Sequence, residues 1–182
     1  IRIMVNDTDG GSTGWNTYSD VITVTNNLPS LQNYTLSADE VLRTSTIVIG
    51  ANATDVEHSE SDLDVYIEYR APSSDWSSSA LSTPLYNYAT SRWESNFTPP
   101  SSLELGEYDL RIKVNDKDGG SSGWNTYSDV ITVNNNVPTI ISYSPSQTQI
   151  YRTNTIVLSV DTSDVEDAES SLTVTAQYRA PS

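Results

Sequence analysis

The chain has no cysteine, so no disulfide staples it. That sets it apart from small eukaryotic secreted modules and leaves prokaryotic surface proteins open. Basic residues are scarce: nine Lys and Arg stand against 24 Asp and Glu, a net charge of −15. A surface this acidic repels nucleic acid and anionic membrane. It suits a divalent cation, a high-salt setting, or no more than a soluble, self-repelling exterior. No apolar run is long enough to span a bilayer, and no signal peptide or lipidation motif occurs. There is one histidine, His58, no thiol nucleophile and no phosphate-binding glycine loop, so enzymatic activity is not expected. Helical periodicity is missing throughout.

What the sequence has is repetition. Residues 1–30 (IRIMVNDTDGGSTGWNTYSDVITVTNNLPS) return as residues 110–139 (LRIKVNDKDGGSSGWNTYSDVITVNNNVPT). The same offset of 109 carries Val41–Ser73 onto Ile150–Ser182 without a gap, and 42 of the 73 aligned pairs are identical. A period of that size points to a tandem array of small domains. Asn-Asn-x-Pro (Asn26–Pro29 and Asn135–Pro138) punctuates the repeats, because proline lacks an N–H and suits an interdomain linker. The expected organisation is the last two strands of one repeat in 1–27, a complete repeat in 28–136, and the first three strands of another in 137–182. The chain is read as a window on a longer array.

Within the complete repeat, short runs separated by turn residues predict seven strands: Leu31–Leu36, Thr46–Ala53, Leu63–Arg70, Leu81–Ala89, Ser91–Thr98, Tyr108–Val114 and Ser128–Val133. Leu63, Val65, Ile67 and Tyr69 alternate with polar partners, as do Tyr108, Leu110, Ile112 and Val114, the signature of half-buried strands. Pro84 confines the fourth run to a sheet edge. The pattern is all-β, a seven-stranded sandwich recurring in tandem at the period of the sequence repeat. Trp93 is the expected core centre, and Tyr108 the expected tyrosine corner.

LGEYDLRIKVNDKDGGSS resembles the penultimate strand and following loop of PKD-type and fibronectin-III-like domains. ATDVEHSESDLDVYIEYR is similar to the second-to-third strand segment of cadherin-like and related Ig-like repeats of prokaryotic, especially archaeal, surface proteins. The Trp-Asp-Phe-Gly-Asp-Gly core of PKD domains and the full Asp-x-Asn-Asp-Asn linker of cadherins are missing, so the resemblance is to tandem Ig-like domains in general.

The resemblance implies that the Asp55–His58 loop, the Asn115–Gly120 loop and the Asn26–Pro29 linker converge where one domain meets the next. It implies calcium there, with Asp55, Glu57, Asp116 and Asp118 as ligands and Asn26 or Asn27 assisting. Asp164, Glu166 and Asn135 or Asn136 match these in the following repeat, and Asp7 and Asp9 match Asp116 and Asp118. The competing reading is plain turn chemistry, since Asp readily caps its own backbone. Lys117, inside the motif, would lie beside any ion. His58 in this acidic loop is expected at the surface. Trp15 and Trp124 recur in Gly-Trp-Asn-Thr-Tyr-Ser and are expected mainly to pack within or between domains, with sugar stacking as the alternative. Sequons at Asn6, Asn33, Asn52 and Asn96 are candidate glycosylation sites in an extracellular setting.

Three functions follow in order of preference. The first is a structural repeat region of an extracellular surface protein or filament, its partners being neighbouring repeats or identical chains. The second is an adhesin or carbohydrate-binding module for cell-surface glycans. The third is an accessory domain of a secreted hydrolase.

Overall fold

In the computed structural model, which describes residues 1–179, the regular structure is strand apart from two single 3-10 turns, Glu60–Asp62 and Glu169–Ser171. No helix among the described residues is long and apolar enough to cross a membrane.

The chain opens with two short paired strands, β1 (Arg2–Ile3) and β2 (Asn16–Thr17). Two four-stranded sheets follow. One orders β3 (Ser30–Leu36), β5 (Ile47–Thr54), β8 (Arg92–Phe97) and β7 (Leu85–Asn87). The other orders β4 (Glu40–Leu42), β10 (Asn125–Asn134), β9 (Gly106–Asn115) and β6 (Asp64–Arg70). Two more strands, β11 (Thr139–Pro145) and β12 (Leu158–Ser163), pair antiparallel beyond them.

Alternation decides which side chains fill the space between the sheets. Val65, Ile67 and Tyr69 of β6 are buried, together with Leu63 just before it, and so are Tyr108, Leu110, Ile112 and Val114 of β9. Against them lie Ile47, Ile49, Ala51, Ala53 and Phe97 from the facing sheet. The Tyr69 and Phe97 rings meet at 4.9 Å. Tyr108 donates its hydroxyl to the Glu104 carbonyl at 2.8 Å, which is the tyrosine corner expected of it.

The structure departs from three expectations. The sandwich has eight strands rather than seven, because the three residues of β4 pair parallel with β10. Trp93 is not the core centre: it sits half-buried at the margin, with its indole N–H donating to the Glu60 carbonyl at 2.9 Å. The single phenylalanine, Phe97, is wholly buried instead. The expected edge run Leu81–Ala89 narrows to β7, with Leu81 bridging Phe97 separately.

Local structure repeats with the sequence. Ser30 pairs with Thr54 and Leu31 with Ala53; at the matching positions of the next repeat, Thr139 pairs with Ser163 and Ile140 with Thr162. The isolated bridge Asn6–Ser12 returns as Asn115–Ser121.

One ionic cluster on β8 makes stability depend on pH. Glu94 accepts from Asn87 Nδ2 (2.7 Å), Arg92 Nε (2.8 Å) and Thr90 Oγ1 (2.9 Å). The Asn87 bond, then the Arg92 and Thr90 bonds, hold its carboxyl below the ordinary 4.5. A depressed acid contributes stability above its unfolded pKa, and that contribution is lost as pH falls through the folded one. The expected result is that Glu94→Gln melts below wild type at neutral pH, with the gap closing as pH drops below 4.5. Thermal melts across pH 2–7 check this; a constant gap refutes it.

Candidate functional site at the pole of the sandwich

Three oxygen-rich segments meet at one end of the sandwich: the linker before β3, the turn after β5 and the loop between β9 and β10. Asn26 of the linker donates Nδ2 to Asp116 Oδ2 at 2.7 Å. Asn27 donates both its backbone N–H (3.1 Å) and its Nδ2 (2.7 Å) to Glu57 Oε1.

Each aspartate first shapes its own loop. Asp55 Oδ1 accepts the N–H groups of Glu57 (2.8 Å) and His58 (2.9 Å), and lies 3.1 Å from His58 Nδ1. Asp116 Oδ1 accepts the N–H groups of Asp118 (2.9 Å) and Gly120 (2.7 Å). These are Asx turns, the chemistry short Asp-rich loops favour. The paired glycines have separate tasks. Gly119 takes φ +89, a left-handed conformation that suits glycine. At Gly120 a Cβ would land on Asp116 Oδ2 and Asn26 Nδ2.

The loops also bring ionisable groups together. One ligand atom each from Asp55, His58 and Asp116 lie within 4.8 Å of one another. The Asp55 side chain is 0% exposed and His58 only 16%, so His58 does not stand in solvent as expected. Asp118 is 61% exposed, with Oδ2 3.7 Å from His58 Nε2. Burial pushes the Asp55 carboxyl up, but the Glu57 and His58 N–H groups and the imidazole hold it below its ordinary value. Burial likewise raises Asp116, and Asn26 and the loop N–H groups bring it net below. The hydrogen bond to Asp55 raises the His58 pKa, with the Asp118, Asp55 and Asp116 charges adding to it against burial.

The expected ligand set therefore divides. Asp55 and Asp116 come together, and His58, unassigned from sequence, joins them. Asp118 stands at the rim. Glu57 and Asn27 are engaged with each other in fixing the linker. Lys117 lies off the cluster, with Nζ 3.0 Å from Asp64 Oδ1. In the following segment Asp164 Oδ1 accepts Glu166 N (2.8 Å) and Asp167 N (2.9 Å). There Glu166 accepts the Asn136 N–H and, at 3.0 Å, its Nδ2. Asp7 Oδ1 accepts Asp9 N at 3.0 Å and Gly11 N at 2.6 Å, the Asp116 turn over again.

Trp76 and Trp124 form a second feature, on the outer face of the sheet holding β6 and β9. Arg70 lies 4.4 Å and Arg111 4.5 Å from the Trp76 ring centre. Arg111 (4.2 Å) and Lys113 (4.9 Å) lie over Trp124, and Lys113 is 4.8 Å from Tyr66. Cross-strand pairing of Tyr66 with Lys113 and of Glu68 with Arg111 aligns this row. Arg2 lies 4.6 Å from Trp15 at the matching positions. Trp15 and Trp124 remain 57% and 36% exposed.

Of the sequons, Asn6, Asn33 and Asn96 are exposed and Asn52 is half-buried. Asn52 Nδ2 donates to Asn33 Oδ1 across the strands at 2.9 Å.

No known family profile matches the chain, and no curated protein does. Among solved structures, it is similar to titin domains z1z2 in complex with telethonin, at 15% identity and a TM-score of 0.36. That alignment covers 77% of this chain and 65% of the titin chain, so the chain spans just under two thirds of that structure's length.

Proposed function

We propose that the chain is a stretch of tandem Ig-like sandwiches, one to each sequence repeat, serving as struts in an extracellular surface protein or filament. The boundaries are 1–27, 28–136 and 137–182, and the setting is a prokaryotic, in particular archaeal, cell surface. The reading is non-enzymatic. Neighbouring repeats, or identical chains in a polymer, are the partners.

The observation that carries it is the linker contact made twice at the repeat period. Asn27 binds Glu57, and one repeat later Asn136 binds Glu166 with the same two donors. Asn136 Nδ2 also reaches back to the Arg43 carbonyl at 2.9 Å, at the end of β4. One carboxamide thus touches the sandwich behind it and the turn ahead. A junction fixed this way and copied along a chain gives a regular rod, since nearest-neighbour interfaces set the stiffness of repeat proteins.

The test is Glu57→Ala combined with Glu166→Ala. These groups sit at linkers, so the sandwich melt should move by less than about 1 kcal/mol. Small-angle scattering should show a broader distribution of interdomain distances than wild type. An unchanged distribution would sink the strut reading.

A further inference from the structure

We propose that the pole of the sandwich binds a divalent cation, held by Asp55 and Asp116 with His58 beside it. This stands on the pole of one sandwich and does not need the array reading to be right.

One oxygen at the pole is left without a partner. Asp55 Oδ1 takes three donors, but Asp55 Oδ2 is buried and has no hydrogen-bond partner. A buried carboxylate oxygen left unmatched is costly, and native proteins rarely retain one without a reason. Asn115 Oδ1, next in the chain to Asp116, is the other buried side-chain oxygen without a partner among the described residues. Both are hard acceptors of the type divalent ions take.

Turn chemistry does not explain this placement. Each Asx turn uses only Oδ1, and asparagine would supply that oxygen without the charge. Instead two buried carboxylates, Asp55 0% exposed by side chain and Asp116 5% exposed overall, face one another. Two anions at that range repel; loop N–H groups and the His58 imidazole offset part of this, and a shared cation would offset more. Ligand atoms within 4.8 Å of one another match the span across an ion bound at roughly 2.0–2.4 Å. Asn26 of the linker borders the group, donating Nδ2 to Asp116 Oδ2, and Asp118 lies at the solvent rim.

His58 selects the ion. An imidazole in the set favours Mn²⁺ or Zn²⁺, whereas an all-oxygen set favours Ca²⁺. The following repeat has Asp167 at this position.

The test uses the whole chain of 182 residues, freed of metal by a chelator that is then removed. Ca²⁺, Mn²⁺ and Zn²⁺ are titrated separately by calorimetry and by thermal melts, with Mg²⁺ at equal ionic strength as the screening control. At about a hundredfold excess over Kd, at least one ion should raise Tm by several degrees more than Mg²⁺ does. Asp55→Asn keeps the turn acceptor and removes the orphan oxygen. It should melt somewhat below the metal-free wild type, because the charge accepted by the loop N–H groups and the imidazole is gone, and it should lose the ion-specific shift. His58→Asp should move the preference toward Ca²⁺ if the imidazole is a ligand; an unchanged preference overturns the selector role of His58. No shift with any of the three ions, or a shift that Asp55→Asn retains in full, overturns the cation site itself.

Discussion

Replacing Phe97 with alanine is expected to destabilise the sandwich by about 3–5 kcal/mol, the range for emptying a buried aromatic site. Phe97 is 0% exposed, pairs in register with Ile47 on β5, is bridged by Leu81, and packs its ring against Tyr69. Its neighbours belong to both sheets, so the cavity cannot close by the movement of one loop. Trp93→Ala removes more atoms, yet from a half-buried place at the margin, and should cost less, about 1–3 kcal/mol including the indole hydrogen bond. Urea unfolding followed by circular dichroism ranks the two. If Trp93→Ala proves the more damaging, the assignment of the core to Phe97 is wrong.

That contrast shows where the sequence is informative and where it stops. The alternation of Val65, Ile67 and Tyr69, and of Tyr108 to Val114, is a local property of period two, and the buried faces follow it directly. The alternation of β8 is equally plain, and Trp93, Ser95 and Phe97 do share one face. How far along the strand the core lies is set by the opposite sheet, and no local pattern contains that. β4 escapes for a related reason. Its three residues hold one buried side chain, Val41, and its partner β10 lies far along the chain.

The pole divides in the same manner. Asp-rich turns beside glycines are legible, and so is their convergence with the linker once an Ig-like topology is assumed. The burial of His58 is not. The acidic residues around it in sequence read as a solvated loop, and the Asp116 loop that comes up beside it is far along the chain. Nor does the sequence distinguish Glu57 from Asp55, although one ties the linker and the other faces the cluster. Two methylenes against one decide it: the longer side chain reaches Asn27, and the shorter turns back on its own loop.

Arg111→Ala is expected to cost about 2–3 kcal/mol, unusually large for a residue on an outer sheet face. Arg111 stacks on Trp76 and Trp124 and makes paired hydrogen bonds to Glu68. Each stacked cation contributes about 0.5–1 kcal/mol where partly exposed, and the half-exposed ion pair adds about 1 kcal/mol. Arg111→Lys keeps the charge but not the planar guanidinium or its fork, so it should restore less than half the loss. Tryptophan emission should shift to the red in both variants as the rings meet water, most in the alanine. The same rings discriminate between functions. A sugar stacks on an open aromatic face, whereas Trp76 and Trp124 each already carry two cations. If the row is structural, Arg111→Ala changes stability and emission but leaves retention on immobilised glycans at the wild-type level. If those rings bind sugar, uncovering them changes retention, and the adhesin reading is favoured.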